Sequence, residues 1–381
     1  MTSLSLLITG VSGYIGGTIL SSILEAQGQW TDQLEIAALV RSESQANTVQ
    51  KLGVKPVTFS SFDETELLEK IAADFDIVIH AGAGWHTPSA KALITGQGNR
   101  HAKTNRPAHY IQISGTSNLS DRPHTEGYTD THCFSDEEDI YSYEKYRESR
   151  EAYHQRTTDI TVIETGEAVG VTTYIVMAPT IFGQGTGPFN RYSIQLPAMI
   201  ADAVSSGAVS VVAQGNTIWS HVHVKDVAGL HVTLLHQICT AVTIPSGRKG
   251  IYFCETGEHS HREFSERLAK AAHELGVLPT ADIREITLEQ AGDKLALGSV
   301  SRAELSFAAK FDLPLPLNVL VMTENADCFF TSSARTKAVL GGKLGWTPLY
   351  GNEWESTFHT EVSTFIKNPP AAREIPKFLK K

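Results

Sequence analysis

The stretch Leu4–Leu24, "LSLLITGVSGYIGGTILSSIL", constrains the fold more than any other part of the chain. Residues 3–8 read as a strand buried on both faces, and residues 14–28 as a helix, with Ile15, Ile19, Leu20, Ile23 and Leu24 near helical spacing. Between them lies a loop carrying Gly10, Gly13 and Gly16 in a GxxGxxG spacing. A glycine loop at a strand-to-helix junction turns backbone N–H groups and the positive end of the helix dipole toward an anion, which suits a pyrophosphate. Gly10 permits the tight turn, Gly13 lets the backbone approach the phosphates, and Gly16 lets the helix pack closely on the strand.

The alternation continues down the chain. "LEIAALVRS" (34–42) reads as a second strand and "VKPVTFSSFD" (54–63) as a third. The charged helix "ETELLEKIAA" then precedes a fourth strand, "FDIVIHAGA" (75–83), and "AHYIQISGTS" (108–117) reads as a fifth. Strands alternating with helices imply an α/β fold, a doubly wound parallel sheet covered on both faces, which binds ligands at the carboxyl ends of its strands. The second strand ends at Arg41. A carboxylate there would bind the ribose 2′-hydroxyl of NAD and repel a 2′-phosphate, whereas arginine forms charge-assisted bonds to the phosphate of NADP. The expected cofactor is therefore NADP in preference to NAD, although an arginine at a strand end also occurs simply as a solvated charge.

Bulk composition narrows the partners. The chain has 381 residues, 41% hydrophobic, and a formal net charge of −10, enough for a large core and contrary to electrostatic binding of nucleic acid or an anionic membrane. Cys133, Cys239, Cys254 and Cys328 are far apart without a CxxC pair, so free thiols, a reducing cytoplasmic setting and no metal site are expected. No apolar run reaches the roughly 20 residues of a membrane span.

The segments "LLITGVSGYIGGTIL", "DIVIHAGA", "YIQISGTS", "APTIFGQGTGP", "WSHVHVKDVAGLHVTLL" and "SSARTKAVLGGKLGWTP" follow one another in an order that resembles the extended short-chain dehydrogenase/reductase superfamily, of the NAD-dependent epimerase/dehydratase type. The likeness runs from about residue 4 to 350 and is greatest to an atypical, fungal-looking branch. The resemblance implies a Rossmann-like domain over residues 1–182, with 211–255 returning to it, and a smaller substrate lobe from 183–210 and 256–381. It implies that Gly10, Gly13, Tyr14, Ile15 and Gly16 cradle the pyrophosphate and that Arg41 faces the adenosine ribose. Ser61 and Phe62 would lie near the adenine, Ala81, Gly82 and Ala83 would line the trough, and Pro179, Ile181 and Phe182 would pass the nicotinamide. Homodimers paired through two long helices are common in that superfamily.

Reduction of a carbonyl by hydride needs an acid for the developing alkoxide, and a tyrosine whose pKa a nearby cation lowers can supply it. Tyr141 and Lys145 form a literal YxxxK, which on a helix shares one face, and Ser135 with Glu138 makes a capping box for a helix starting near Asp136. Thr116, matching the superfamily's oxygen-binding Ser/Thr, lies 25 residues before Tyr141, a usual spacing. The 34 residues from Lys145 to Pro179 are more than the superfamily usually leaves. An alternative register therefore stays open, in which "REAYHQRTTDITVIETG" is the catalytic helix, Gln155 and Asp159 fall at the tyrosine and lysine positions, and Tyr153 or His154 is the standby acid.

In the loop "GQGTGPFNRYSIQLP", Asn190 and Arg191 are expected to bind a polar substrate group. His221 and His223 point the same way along one strand without a third ligand, His259 and His261 read as surface residues, and Asp226 as a helix cap. The leading functional expectation is an NADP-dependent oxidoreductase acting on a small carbonyl or alcohol. An epimerase or dehydratase that retains its cofactor, and a non-catalytic NADP-binding regulator, are the alternatives.

Overall fold

Seven short strands, joined in sequence by connections that cross one face or the other, assemble into a parallel sheet. The computed structural model describes residues 3–26, 30–31, 34–294, 327–328 and 330–368. Strands β1 (Leu4–Thr9), β2 (Leu34–Val40), β3 (Lys55–Thr58), β4 (Ile77–His80) and β5 (His109–Gly115) alternate with helices α1 (Tyr14–Glu25), α2 (Glu43–Lys51), α3 (Thr65–Ala72) and α4 (Thr87–Thr104). After β5 come the short strand β6 (Cys133–Ser135), α5 (Ile140–Glu148), α6 (His154–Val169) and β7 (Thr172–Ala178). Then follow β8 (Thr180–Phe182), α7 (Gln195–Ser206), β9 (Val209–Val212), β10 (Ile218–His223), α8 (Val224–Cys239) and β11 (Ile251–Phe253). The sheet order is β11-β7-β5-β4-β1-β2-β3, with β1 flanked by β2 and β4 in parallel register.

Alternation of side chains across this sheet creates two cores. Leu6 and Ile8 of β1 pack on one face with Ile19, Leu20 and Ile23 of α1 and Leu230 and Leu234 of α8. Leu7 faces the other way, with Leu68 of α3, Leu93 and Ile94 of α4 and Ile163 of α6. The third strand is shorter than the sequence suggests, because the backbone N–H groups of Ser60 and Ser61 turn back to Glu64 Oε2, at 2.6 and 3.1 Å, and end it early.

The remaining elements form a smaller unit with its own core. Strand β12 (Gly257–Ser260) pairs antiparallel to β10, which pairs parallel to β8; β13 (Ile283–Ile286) pairs with β9; and β14 (Arg335–Lys337) pairs with β6. Helix α9 (His261–Glu274) and the C-terminal helix α11 (Trp354–Lys367), with α10 (Leu288–Lys294) between them in sequence, close this side, burying Phe264, Leu268, Trp354 and Phe358 with Phe182 and Met199. Residues 295–326 and 369–381 of the expected substrate lobe lie outside the described residues.

Three local expectations are corrected. Asp226 does not cap α8. The His223 ring accepts from Lys225 N at that terminus, while the Asp226 carboxylate receives the N–H groups of Leu349 and Tyr350 at 2.7 and 3.1 Å. His259 and His261 are buried rather than on the surface, because β12 and the start of α9 are covered by Trp354 and Phe330. Helix α5 begins at Ile140 with Asp139 as its cap, and only the Glu138-to-Ser135 N–H half of the capping box forms, at 2.8 Å.

Candidate functional site

The glycine loop closes as a tight turn at the carboxyl end of β1. Gly10 has φ +74°, and Gly13 N donates back to Gly10 O at 2.8 Å. A Cβ on Gly10 would sit 2.5 Å from Ala81 O and from Gly82 Cα, so the β1 and β4 termini meet backbone to backbone. On Gly16, a Cβ would lie 2.4 Å from Gly10 O. Helix α1 has no side-chain cap and no acidic residue in its first turn, an arrangement that suits an anion at its leading N–H groups. These features fit the pyrophosphate of a dinucleotide. Beyond the loop, Phe62 packs against Gly82 and the ring of His80, and Ser61 lies on the same turn. Arg41 follows β2 with an exposed side chain, and the next residue, Ser42, caps α2.

At the other end of the trough the structure does not assemble Thr116, Tyr141 and Lys145. The Tyr141 hydroxyl donates to Glu164 Oε1 at 2.9 Å, Lys145 Nζ binds the same oxygen at 2.8 Å, and the Arg248 guanidinium lies over the Tyr141 ring. Glu164 is on α6, nine residues and therefore about 13 Å along the helix from Gln155, which touches Gly115 at the end of β5. The YxxxK thus fastens α5 to the outside of α6. Burial and the Glu164 carboxylate push the Tyr141 phenol above its ordinary pKa. Thr116 is fully buried, and its hydroxyl has no partner among the described residues.

The alternative register is the one that reaches the trough. Gln155 and Asp159 project from the first turns of α6 onto the end of β5. With the Gln155 amide oriented to satisfy both its atoms, its oxygen accepts from Trp85 Nε1 at 3.3 Å and Gly115 N at 3.2 Å, and its nitrogen donates to Ser117 Oγ at 2.8 Å. Asp159 accepts from Ser114 Oγ and, at 2.7 Å, from Asn118 Nδ2. That same amide nitrogen reaches Glu144 Oε1 at 2.8 Å, so two buried carboxyl groups share one donor. Burial pushes Asp159 up to about 8 and Glu144 well above the usual carboxylate range, and the neighbouring Asp159 adds to the cost of ionising Glu144. No lysine occupies this position.

Tyr153, one residue before α6, donates to Ser117 Oγ at 3.1 Å and has Cys328 Sγ 3.7 Å from its hydroxyl. Trp85 packs edge-on against its ring, and the guanidinium groups of Arg122 and Arg156 lie 5.3 and 5.5 Å from the ring centre. Burial of the hydroxyl, with the Cys328 thiol next, raises its pKa well above the ordinary value, so the phenol stays protonated at neutral pH. His154 is exposed. Ser117 and Cys328 were not legible as site residues. Ser117 follows the expected Thr116 by one position, and Cys328 comes from a segment far away in sequence that carried no motif.

The remaining predicted residues divide between the two ends. Pro179 is buried and Ile181 half-buried, and the Phe182 ring turns into the smaller unit against Trp354, His221 and His223. Tyr14 donates to Phe182 O and Gly183 O at 3.0 and 2.5 Å. Asn190 and Arg191 are not beside Ser117 and Tyr153. Asn190 N donates to Ser12 O at 3.3 Å, on the glycine loop.

Residues 6–243 match the NAD dependent epimerase/dehydratase family, more than half of the chain. The chain is 27% identical to Oxidase ucsJ of Acremonium sp over 300 residues, covering 74% of this chain and 83% of that one. It is 38% identical over 76 residues to the 4-hydroxy-2-methyl-3-oxo-4-farnesyl-3,4-dihydroquinoline-1-oxide ketoreductase of Stigmatella aurantiaca, covering 20% of this chain and 21% of that one. In fold it is similar to UDP-glucose 4-epimerase of Thermotoga maritima, with a TM-score of 0.58 at 12% identity over 96% of this chain and all of that one. Among the described residues no helix is long and apolar enough to cross a membrane.

Proposed function

This chain belongs to the NAD dependent epimerase/dehydratase family, and from that premise we infer that it is an NADP-dependent oxidoreductase of a small carbonyl or alcohol that has replaced the tyrosine–lysine pair with Tyr153 and Ser117. The observation that carries the reading is the hydroxyl pair itself, at the carboxyl end of β5 and within the reach of Gln155. NADP, when bound, supplies or accepts the hydride. Arg41, with no carboxylate at the end of β2, supports the phosphorylated cofactor. Two relatives named for redox activity, an oxidase and a ketoreductase, support the reaction class.

The residues divide the work as follows. Gln155 and Tyr153 both donate to Ser117 Oγ, so Ser117 keeps its own O–H to give to a substrate oxygen. Tyr153, protonated because its hydroxyl is buried, delivers its proton along that bond as charge develops on the oxygen, and the Arg122 guanidinium, 5.3 Å from its ring centre, opposes the effect of burial and favours that transfer. Trp85 excludes water from one side of the phenol. Stopped-flow loss of NADPH absorbance against a panel of aldehydes and ketones tests the proposal; consumption of NADPH by the wild type but not by Tyr153→Phe supports it.

A second reading has its own observation. Asp159, buried where a cation would hold the nicotinamide ribose, favours a protein that binds NADP without turnover. Tight NADPH binding with no consumption on any carbonyl in the panel would select it.

A further inference from the structure

Resting on the cofactor reading above, we propose that residues 183–191 are a strap across the pyrophosphate, with Arg191 as the cation that holds it. The segment follows β8 and lies back over the first turns of α1. Thr186 N donates to Thr18 Oγ1 at 3.3 Å, Ser21 Oγ donates to Thr186 O at 3.0 Å, and Asn190 N donates to Ser12 O at 3.3 Å. Tyr14, inside the glycine loop, ties down the start of the strap through Phe182 O and Gly183 O.

The contact is as close as backbone allows. A Cβ on Gly187 would stand 2.6 Å from Gly17 Cα, and one on Gly185 would stand 3.0 Å from the Tyr14 ring. Glycines at 185 and 187 therefore serve to seat the strap on the helix start, which a mere surface loop would not need. Glu361 of α11 secures the strap from behind. It accepts from Gly183 N, and burial pushes it up to about 8, so it adds little negative charge at neutral pH.

Arg191 is fixed at its Nε, which donates to Gly185 O at 2.6 Å, while Arg191 O accepts from Gly185 N at 2.9 Å. This clip uses Nε, the side chain is otherwise exposed, and no carboxylate pairs with the outer guanidinium nitrogens among the described residues. Its neighbour Asn190 sits on Ser12, which brings the strap's charged residue to the start of α1, a helix with no side-chain cap. Guanidinium and helix terminus then face one anion, and a diphosphate carries the charge for both. Arg191 acts as a cofactor-binding residue rather than a substrate-binding one.

Calorimetric titration with NADPH and with 2′-AMP, which has no pyrophosphate, tests this. Arg191→Ala is expected to weaken NADPH by about tenfold to a hundredfold and to leave 2′-AMP unchanged, whereas Arg191→Lys recovers part of the loss. Gly187→Ala, which adds no charge, should weaken NADPH in the same direction by lifting the strap. Unchanged NADPH affinity in Arg191→Ala, or equal losses for NADPH and 2′-AMP, overturns the strap. Wild-type protein that binds neither NADPH nor NADH overturns the cofactor reading itself.

Discussion

Tyr153 donates its phenolic hydrogen to Ser117 at 3.1 Å, across a gap of 36 residues in sequence, and this pair rather than Tyr141 and Lys145 meets the carboxyl end of the sheet. Tyr153→Phe should lower single-turnover reduction by about a hundredfold or more, the usual size of a lost general acid. Tyr141→Phe should leave the rate unchanged, because its hydroxyl is spent on Glu164. A rate loss in Tyr141→Phe equal to that in Tyr153→Phe would reverse the assignment.

Arg41 is the one predicted cofactor contact whose effect separates the two nicotinamide dinucleotides. Arg41→Ala should weaken NADPH about tenfold and NADH hardly at all, in parallel fluorescence titrations. Equal losses would mean that the guanidinium does not meet a 2′-phosphate.

Gly16→Ala places a methyl group 2.4 Å from Gly10 O, a backbone atom that cannot step aside. Helix α1 must shift, at a cost of about 1–3 kcal/mol. Both a lower melting temperature and weaker NADPH binding are expected, measured on the same preparation.

Four histidines, His221, His223, His259 and His261, are buried around Trp354 and its neighbours, and burial lowers all of them, to about 4 for His221, His223 and His261. The unfolded chain takes up protons near the ordinary value of about 6.5, before the folded one does. Stability is therefore fully present above 6.5 and falls as pH drops from there to about 4. Thermal melts across that window should show the decline, and His221→Phe, which keeps a ring against Trp354, should make it shallower.

Asp159 behaves in the opposite sense. Its carboxyl is neutral in the folded protein up to about 8, while the unfolded chain ionises near 4, so its contribution is present in acid and lost as pH rises through 8. Asp159→Asn should melt increasingly above the wild type as pH is raised from 5 to 9, and a constant difference would show that burial does not control this group.

The strand, glycine loop and helix of residues 4–25 were legible because their determinants are local. Apolar runs select the strand, helical spacing selects α1, and the positive φ of Gly10 together with the tight approach at Gly16 demands glycine wherever the tertiary structure puts it. The doubly wound sheet followed from repetition of the same pattern. Which helix meets the end of β5 was not local. A tyrosine and a lysine four residues apart share a helix face on any helix, and which helix reaches the trough depends on packing against α4 and β5 and on Glu164, 23 residues beyond Tyr141. Likewise Asn190 and Arg191 read as substrate contacts from their place in a loop, and nothing in the sequence signalled that the Asn190 backbone bonds Ser12 of the distant glycine loop while Arg191 bonds Gly185. Sequence alone determined which segments could be strands, helices and an anion-binding turn, since each is set by the chemistry of neighbours in the chain. Only the tertiary structure decided which hydroxyls meet at the end of β5 and where the loop after β8 lies, because those placements rest on burial and on partners brought together from distant segments.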